Sequence, residues 1–436
     1  EVPYGTSVGA ILSERDADAR PLAAIVHNRC VDLSFPLTAS AVIQPVDYRM
    51  REGVLVYRRT ASLILLEAVR ELFGVRVKIG QSRSNGYYWE IACEGGFSAE
   101  QTERLDRRMR LLVEQDLPLR TEVVMLAEAK RIFASLGDTS KQQLLKTNWK
   151  THVTLVFCGK LCDIHHYPVA PSTGYISRFE LLHEDNGVVL RFPQRSDPEQ
   201  IPPFERTPKL KAVYTETRDW LQLLGVATVG QLNEHVLAGS SGELIRIGEG
   251  LHEKKIAQIA DEICAASPRL VLVAGPSSSG KTTFSKRLSL QLRINGVQPV
   301  ALSTDNFYVD RVKTPRDEEG KYDFESIEAI DLDLFNDVLA KLLAGERVMA
   351  PRFDFTSGER RPPDKWLPMQ LREEQVLVVE GIHGLNPRLT SSVPDERKFR
   401  VYVSALTQLC VDDHNRIFTS DTRLIRRIVR DRMFRG

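Results

Sequence analysis

The period of the apolar positions changes along this chain, and the changes mark out its elements. Over residues 1–55 short apolar runs (SVGAIL, LAAIVHNRCVDL, GVLVYR) are broken by turns, which predicts a small β-rich module. Residues 60–73 (TASLILLEAVRELF) switch to helical spacing. Residues 75–79 and 87–93 read as paired strands around Ser84-Asn85-Gly86. A charged helix is predicted over 98–115, where Ser98 and Gln101 have the spacing of a capping box. Helical runs follow at 119–136 and 141–147, then strand-like runs at 153–157 and 176–182. Prolines 193, 198, 202, 203 and 208 cluster into a linker. Beyond it come helices near 217–224, 231–237 and 251–265. Short all-apolar strands follow at 270–274, 300–302 and 376–379.

Length and composition narrow the class. A chain of 436 residues exceeds one ordinary core and predicts several domains. Lys+Arg 59 against Asp+Glu 58 gives a net charge of +1, so no global field favours a polyanion. No apolar run approaches the roughly 18 residues of a membrane span. Six scattered cysteines form no secreted disulfide framework, and a cytoplasmic location is expected. The basic segment 421–436 is still helical in pattern where the sequence ends, so a longer natural chain is expected.

The chemistry concentrates in the second half. Gly275-Pro276-Ser277-Ser278-Ser279-Gly280-Lys281-Thr282 is G-x-x-x-x-G-K-[ST], the phosphate-binding P-loop. It lies between the strand at 270–274 and helical spacing over 281–295, an arrangement that aims backbone N–H groups and a helix N-terminus at an anion. Lys281 is then expected at the terminal phosphates and the Thr282 hydroxyl on Mg²⁺. Asp305 follows the strand at 300–302, where a carboxylate can orient or deprotonate a hydroxyl; alone, such an Asp is as often a helix cap. Glu380 ends the strand at 376–379, a place for a metal contact or a simple strand terminator. Six arginines (423, 426, 427, 430, 432 and 435) fall on one predicted helix, which suits either a lid over phosphates or a solvated, RNA-binding face.

Together GPSSSGKTT (275–283), STDNFY (303–308), YDFESIEAIDLDLF (322–335), PRFDF (351–355), VVEGIHGL (378–385) and RLIRRIVRDRMFRG (423–436) resemble the uridine kinase and phosphoribulokinase family, over about 250–436. The resemblance implies ATP and Mg²⁺ as cofactors and a nucleoside 5′-hydroxyl as acceptor. ATP would lie on Gly275, Ser277, Ser278, Ser279, Gly280, Lys281, Thr282 and Thr283. Asp305 would be the general base, and Thr282, Asp305 and Glu380 the metal environment. Glu325 or Asp323, with Phe324, would hold the ribose; Tyr308, Phe353 and Arg360 would line the nucleoside pocket. Arg426 would close over substrate, with Arg427 and Arg430 acting on the phosphates beside Lys281. Uridine kinases carry a base-reading His where this chain has Gly358, which leaves base preference open.

Residues 55–195 resemble the editing-type second additional domain of threonyl-tRNA synthetases. The matching stretches are TASLILLEAVRELFG (60–74), FSAEQTERLDRRM (97–109), DLPLRTEVV (116–124) and Cys162-x-x-x-His166 before Pro171-Ser172-Thr173-Gly174. Residues 1–55 occupy the place of that enzyme's β-grasp TGS domain. The site's first His pair aligns with Arg59 and Leu63, so a four-ligand zinc site is not expected, nor is aminoacyl-tRNA hydrolysis. The fold expectation is multidomain α/β and α+β. It comprises a β-grasp-like domain (1–55), a synthetase-like α+β domain (56–195), a helical connector (196–250) and a P-loop domain with a parallel sheet and flanking helices (251–436). RNA binding by the first half and homo-oligomerisation stay open. The alternative function is a nucleotide-sensing RNA- or tRNA-binding regulator.

Overall fold

The structure, a computed structural model, describes residues 2–15, 20–407 and 409–434. Arg435 and Gly436 of the basic segment lie outside the described residues. The fold is mixed α/β and divides into two compact units. One is Glu1–Ser241 with Gln408–Ile417, and the other is Gly242–Thr407 with Phe418–Gly436.

Among the described residues the first unit holds four antiparallel sheets, the smallest being the hairpin Cys410–Asp412 and Asn415–Arg416. The N-terminal one orders Arg29–Val31, Ala23–Val26 and Ile43–Val46. The predicted strand SVGAIL is instead a helix, Val8–Arg15. Val8 and Ile11 are buried and Leu12 packs beside them, an i, i+3, i+4 stripe too short to stand out in the sequence. GVLVYR is likewise helical, being the start of Arg51–Leu72. Its β-branched residues favour a strand locally, but Val56, Tyr57, Thr60 and Ala61 are buried at helical spacing, and burial decides. Val77–Arg83, Gly86–Ile91, Gly187–Arg191 and Glu180–Glu184 form a four-stranded sheet in that order.

The capping box is present: Ser98 Oγ accepts from Gln101 N–H at 3.2 Å, and Gln101 Oε1 accepts from Ser98 N–H at 2.8 Å. The helical run expected over 119–136 is wrong in its first half. Leu119–Met125 is a strand paired with His152–Cys158, and only Leu126–Ser135 is helical. Being at the sheet edge and largely exposed, that strand has too many polar positions to show a strand pattern.

The second unit is built on a parallel sheet ordered Gln298–Ser303, Gln375–Gly381, Leu270–Ala274 and Lys398–Tyr402. Both faces are apolar, as a sheet covered on two sides requires. On one face Val271, Val273, Val376 and Val378 pack against Phe284, Leu288 and Leu292 of helix Lys281–Ile294 and Ile256, Ala260 and Ile263 of helix Ser241–Ala266. On the other, Leu270, Leu272, Leu377 and Val379 meet Phe335, Val338, Leu339 and Leu342 of helix Leu332–Leu343. Each fully buried Leu or Phe contributes about 1.5–3 kcal/mol. This double layer brings Ala274, Ser303 and Gly381 to one edge, the carboxyl ends of adjacent strands.

Candidate active site

The P-loop leaves the strand Leu270–Ala274 through a position only glycine fills. A Cβ on Gly275 would lie 2.0 Å from the Val403 carbonyl oxygen, because Val403 N–H donates to Ala274 O across the neighbouring strand. The turn then places Ser278 in the left-handed region (φ 60°) and enters helix Lys281–Ile294 at Gly280, which offers no side-chain cap. The first N–H groups of the helix and the turn therefore face the loop concavity together with the positive end of the helix dipole. The Ser278 and Ser279 hydroxyls are buried there without a partner. Orphaned donors in a nest of N–H groups fit a bound phosphate chain.

Acidic and basic groups converge beside the loop. Glu380 Oε1 accepts from Thr282 Oγ1 at 3.2 Å and from Ser303 Oγ at 3.3 Å, and the Ser303 hydroxyl also accepts from Asp305 N–H at 3.3 Å. Burial, reinforced by Glu380 and opposed by Lys281, pushes the Asp305 carboxyl above the usual range. Burial, with Arg423 and Arg430, pulls the Lys281 ammonium down against the pull of Glu380 and Asp305. These hydroxyl and carboxylate oxygens are hard donors of the kind Mg²⁺ takes alongside phosphate and water. Among the described residues no cluster of three His, Cys, Asp or Glu forms a metal site without such outside ligands.

From helix Thr419–Phe434, Arg423 Nε donates to Ser277 O at 3.1 Å and Arg426 Nε to Ser278 O at 3.0 Å. Arg427 and Arg430 line the same cleft, each near Asp431.

The cleft encloses about 1140 Å³. Besides Lys281, Thr282, Asp305 and Glu380, Tyr308, Phe324, Glu325 and Phe353 border it. Tyr308, Phe353 and Phe355 form an aromatic cluster with centroids 5.2–6.5 Å apart. Two expected substrate contacts do something else. Asp323 turns the chain, its Oδ1 accepting from the N–H groups of Glu325 (3.0 Å) and Ser326 (3.1 Å), so of these two acids it is Glu325 that borders the cleft. Arg360 is a brace: its guanidinium pairs with Asp331 at 2.9 Å and donates to Tyr308 O at 3.2 Å. Asp331 is distant in sequence and caps helix Leu332–Leu343, so nothing local pointed to this role. Sequence reasoning missed Arg311, which also lines the cleft; the signal was the glycine at 358 whose missing side chain makes room for it.

In the first unit, Arg59 and His166 belong to a buried charge cluster. Asp163 is fully buried and meets Arg59 Nη2 at 3.2 Å, Lys141 Nζ at 3.2 Å and His414 Nδ1 at 3.1 Å. His166 Nε2 lies 3.2 Å from Asp412 Oδ2, while Cys162 and Leu63 are packed in the interior. Asp412 and His414 come from the hairpin Cys410–Asp412 and Asn415–Arg416, held further by Ile79 N–H to Asp413 O at 2.7 Å and Arg416 Nη1 to Ser82 Oγ at 2.6 Å. Burial raises both carboxyls, but Lys141, Arg59 and His414 outweigh it and hold Asp163 well below the carboxylate range. Lys141 and His166 bring Asp412 down to about 2.

A parallel sheet, a P-loop after one inner strand, Glu380 on the adjacent strand and Asp305 just beyond the next give the second unit a fold that resembles that of P-loop kinases. Residues 270–436 match the family described as Phosphoribulokinase / Uridine kinase family. The N-terminal region matches threonine–tRNA ligases: 35% identity over 163 residues with that of Syntrophotalea carbinolica and 32% over 181 with that of Thiobacillus denitrificans. Those matches cover 37% and 41% of this chain but only 26% and 28% of the ligases. Similar solved structures include the "Possible Uridine Kinase" of Bacillus stearothermophilus (26% identity, 34% of this chain and 79% of that one, TM-score 0.29). Another is the D-glycerate 3-kinase of Cryptococcus neoformans (21%, 30% and 52%, TM-score 0.23). No helix among the described residues is long and apolar enough to cross a membrane.

Proposed function

We propose that the second unit transfers the γ-phosphoryl group of ATP to the 5′-hydroxyl of a nucleoside. The observation that carries this reading is a single cleft lined both by the P-loop and by the aromatic cluster of Tyr308, Phe353 and Phe355. Asp305 acts on the ionisation of Lys281 in the first group and of Tyr308 in the second. An aromatic cluster suits a flat base, and an acidic Glu325 suits ribose hydroxyls.

In this reading the loop N–H groups and the Ser278 and Ser279 hydroxyls hold the phosphates, and Lys281 balances their charge. Thr282, Asp305 and Glu380 would hold Mg²⁺, which when bound neutralises charge on the phosphoryl oxygens. Asp305 orients the acceptor hydroxyl and takes its proton at the carboxylate. Arg423 and Arg426, already on the loop carbonyls, bring the arginine-bearing helix over the phosphates, where Arg427 and Arg430 add positive charge and shed water. We further assign residues 1–55, 56–195 and 196–250 as β-grasp-like, synthetase-like and connector segments that support rather than perform the transfer.

The test is phosphate transfer from labelled ATP with Mg²⁺ across all common nucleosides and ribulose 5-phosphate. Transfer to a nucleoside supports the reading; transfer to the sugar phosphate alone overturns its acceptor. No transfer despite ATP binding would favour a nucleotide-sensing, RNA-binding protein. A pH profile adds a second expectation. Only ionised Asp305 can accept a proton, and its carboxyl is raised by burial, so kcat/KM should begin to fall at a pH above the ordinary aspartate value of about 3.9 as acid is added. An acid limb at or below that value would remove Asp305 as the base.

A further inference from the structure

We infer that Arg311 reads the base of the acceptor nucleoside and restricts it to bases that present two adjacent hydrogen-bond acceptors. The assignment rests on the nucleoside reading above and deepens it.

The argument starts from Gly358. Its φ is +76°, and a Cβ built there would lie 2.6 Å from Arg311 Nε, 2.7 Å from Cζ and 2.9 Å from Nη2. The guanidinium of Arg311 thus takes up the space that any side chain at 358 would enter. It is fixed there at both ends. Arg311 N–H donates to Gly358 O at 2.8 Å, and Nη2 donates to Phe355 O at 3.2 Å. Phe355 belongs to the aromatic cluster with Tyr308 and Phe353, and Arg311 lines the same cleft.

Among the described residues no carboxylate pairs with Arg311, although most neighbouring cations are matched: Lys313 with Asp310, Arg360 with Asp331 and Arg361 with Asp354. One guanidinium hydrogen is used by Phe355 O, and the other donors of this exposed, cleft-lining side chain meet no carboxylate among the described residues. Arginine has five donors and no acceptor, in a planar fork. A base stacked on the aromatic rings is therefore met by donors only. Guanine and hypoxanthine offer O6 and N7 side by side, and cytosine offers O2 and N3. Adenine sets its N6 amino donors beside each acceptor, and uracil sets N3–H between its carbonyls.

The expected ranking in kcat/KM places guanosine, inosine and cytidine about 10- to 100-fold above adenosine and uridine. Arg311→Gln should flatten that ranking, acting through KM. 7-Deazaguanosine, which lacks the N7 acceptor, should lose about 10-fold against guanosine on the wild-type protein and little on Arg311→Gln. Gly358→Ala supplies an independent variant, because its Cβ must push the guanidinium aside; it should flatten the ranking in the same way. The KM for ATP in each variant reports whether the P-loop region is still folded. An unchanged ranking in both variants, or equal losses for every nucleoside, overturns the role of Arg311 while leaving a nucleoside kinase intact. A wild-type protein that phosphorylates only non-nucleoside acceptors overturns both this assignment and the reading beneath it.

Discussion

Asp305→Asn should lower the transfer rate by about 10²- to 10⁴-fold, with ATP binding close to that of the unaltered protein. The side chain stands at the end of strand Gln298–Ser303, on the turn Thr304–Phe307, where Ser303 Oγ accepts its N–H. Burial and Glu380 raise its carboxyl, which makes the ionised form a stronger base than an exposed aspartate. Asparagine keeps the shape and the turn, but it can neither take the acceptor proton nor balance Lys281. The loss should therefore fall on single-turnover transfer and spare the ATP dissociation constant. Lys281→Ala is the contrasting variant: it should abolish turnover by weakening the hold on the phosphates themselves. A transfer rate for Asp305→Asn within a few-fold of the unaltered protein would remove Asp305 from the mechanism.

The second large effect concerns stability. Asp163→Asn should destabilise the first unit by about 3–5 kcal/mol, because it leaves Lys141, fully buried, and Arg59 without their shared counter-charge. The check is the urea midpoint followed through hydrogen exchange in strand Leu161–Ile164 and in residues 410–416. An unchanged midpoint would mean that the cluster contributes nothing net. Asp163→Leu combined with Lys141→Met should recover only part of the loss, since Arg59 still loses its partner and Asp138 loses Lys141.

The same cluster gives a pH dependence. Both carboxyls titrate lower in the folded protein than in the unfolded chain. Their stabilisation is complete above about pH 4. It is lost as pH falls through the folded values, about 2 for Asp412.

Chemistry that depends on neighbours in sequence was legible before the structure. The P-loop needs a strand, a glycine turn and a helix in succession, and Leu270–Ala274, Gly275, Gly280 and Lys281–Ile294 supply them in order. The arginines at 423, 426, 427 and 430 share a helix for the same local reason. Side chains defined by distant partners were not legible. Arg360 looks like a cleft residue until Asp331, 29 positions earlier, is seen to hold it. Arg311 draws its meaning from an absent side chain at 358. His166 meets Asp412 across 246 positions, and no periodicity encodes such a pairing. The strand and helix errors at 53–58 and 119–125 have a related cause, since buried contacts overrode propensity in one and an exposed edge blurred the alternation in the other.

The hairpin bearing Asp412 and His414 also sets an order of events during synthesis. The first unit leads the chain through Ser241, yet it counts Gln408–Ile417 among its own residues. A chain emerging from the ribosome at about 5–20 residues per second must add residues 242–407 before that piece exists. Until then Asp163 and Lys141 lack His414, and the backbone N–H of Ile79 lacks its acceptor on Asp413. The usual rule that the earlier domain finishes first is therefore reversed at this one place: the unit made earlier completes itself with a segment made only after residues 242–407.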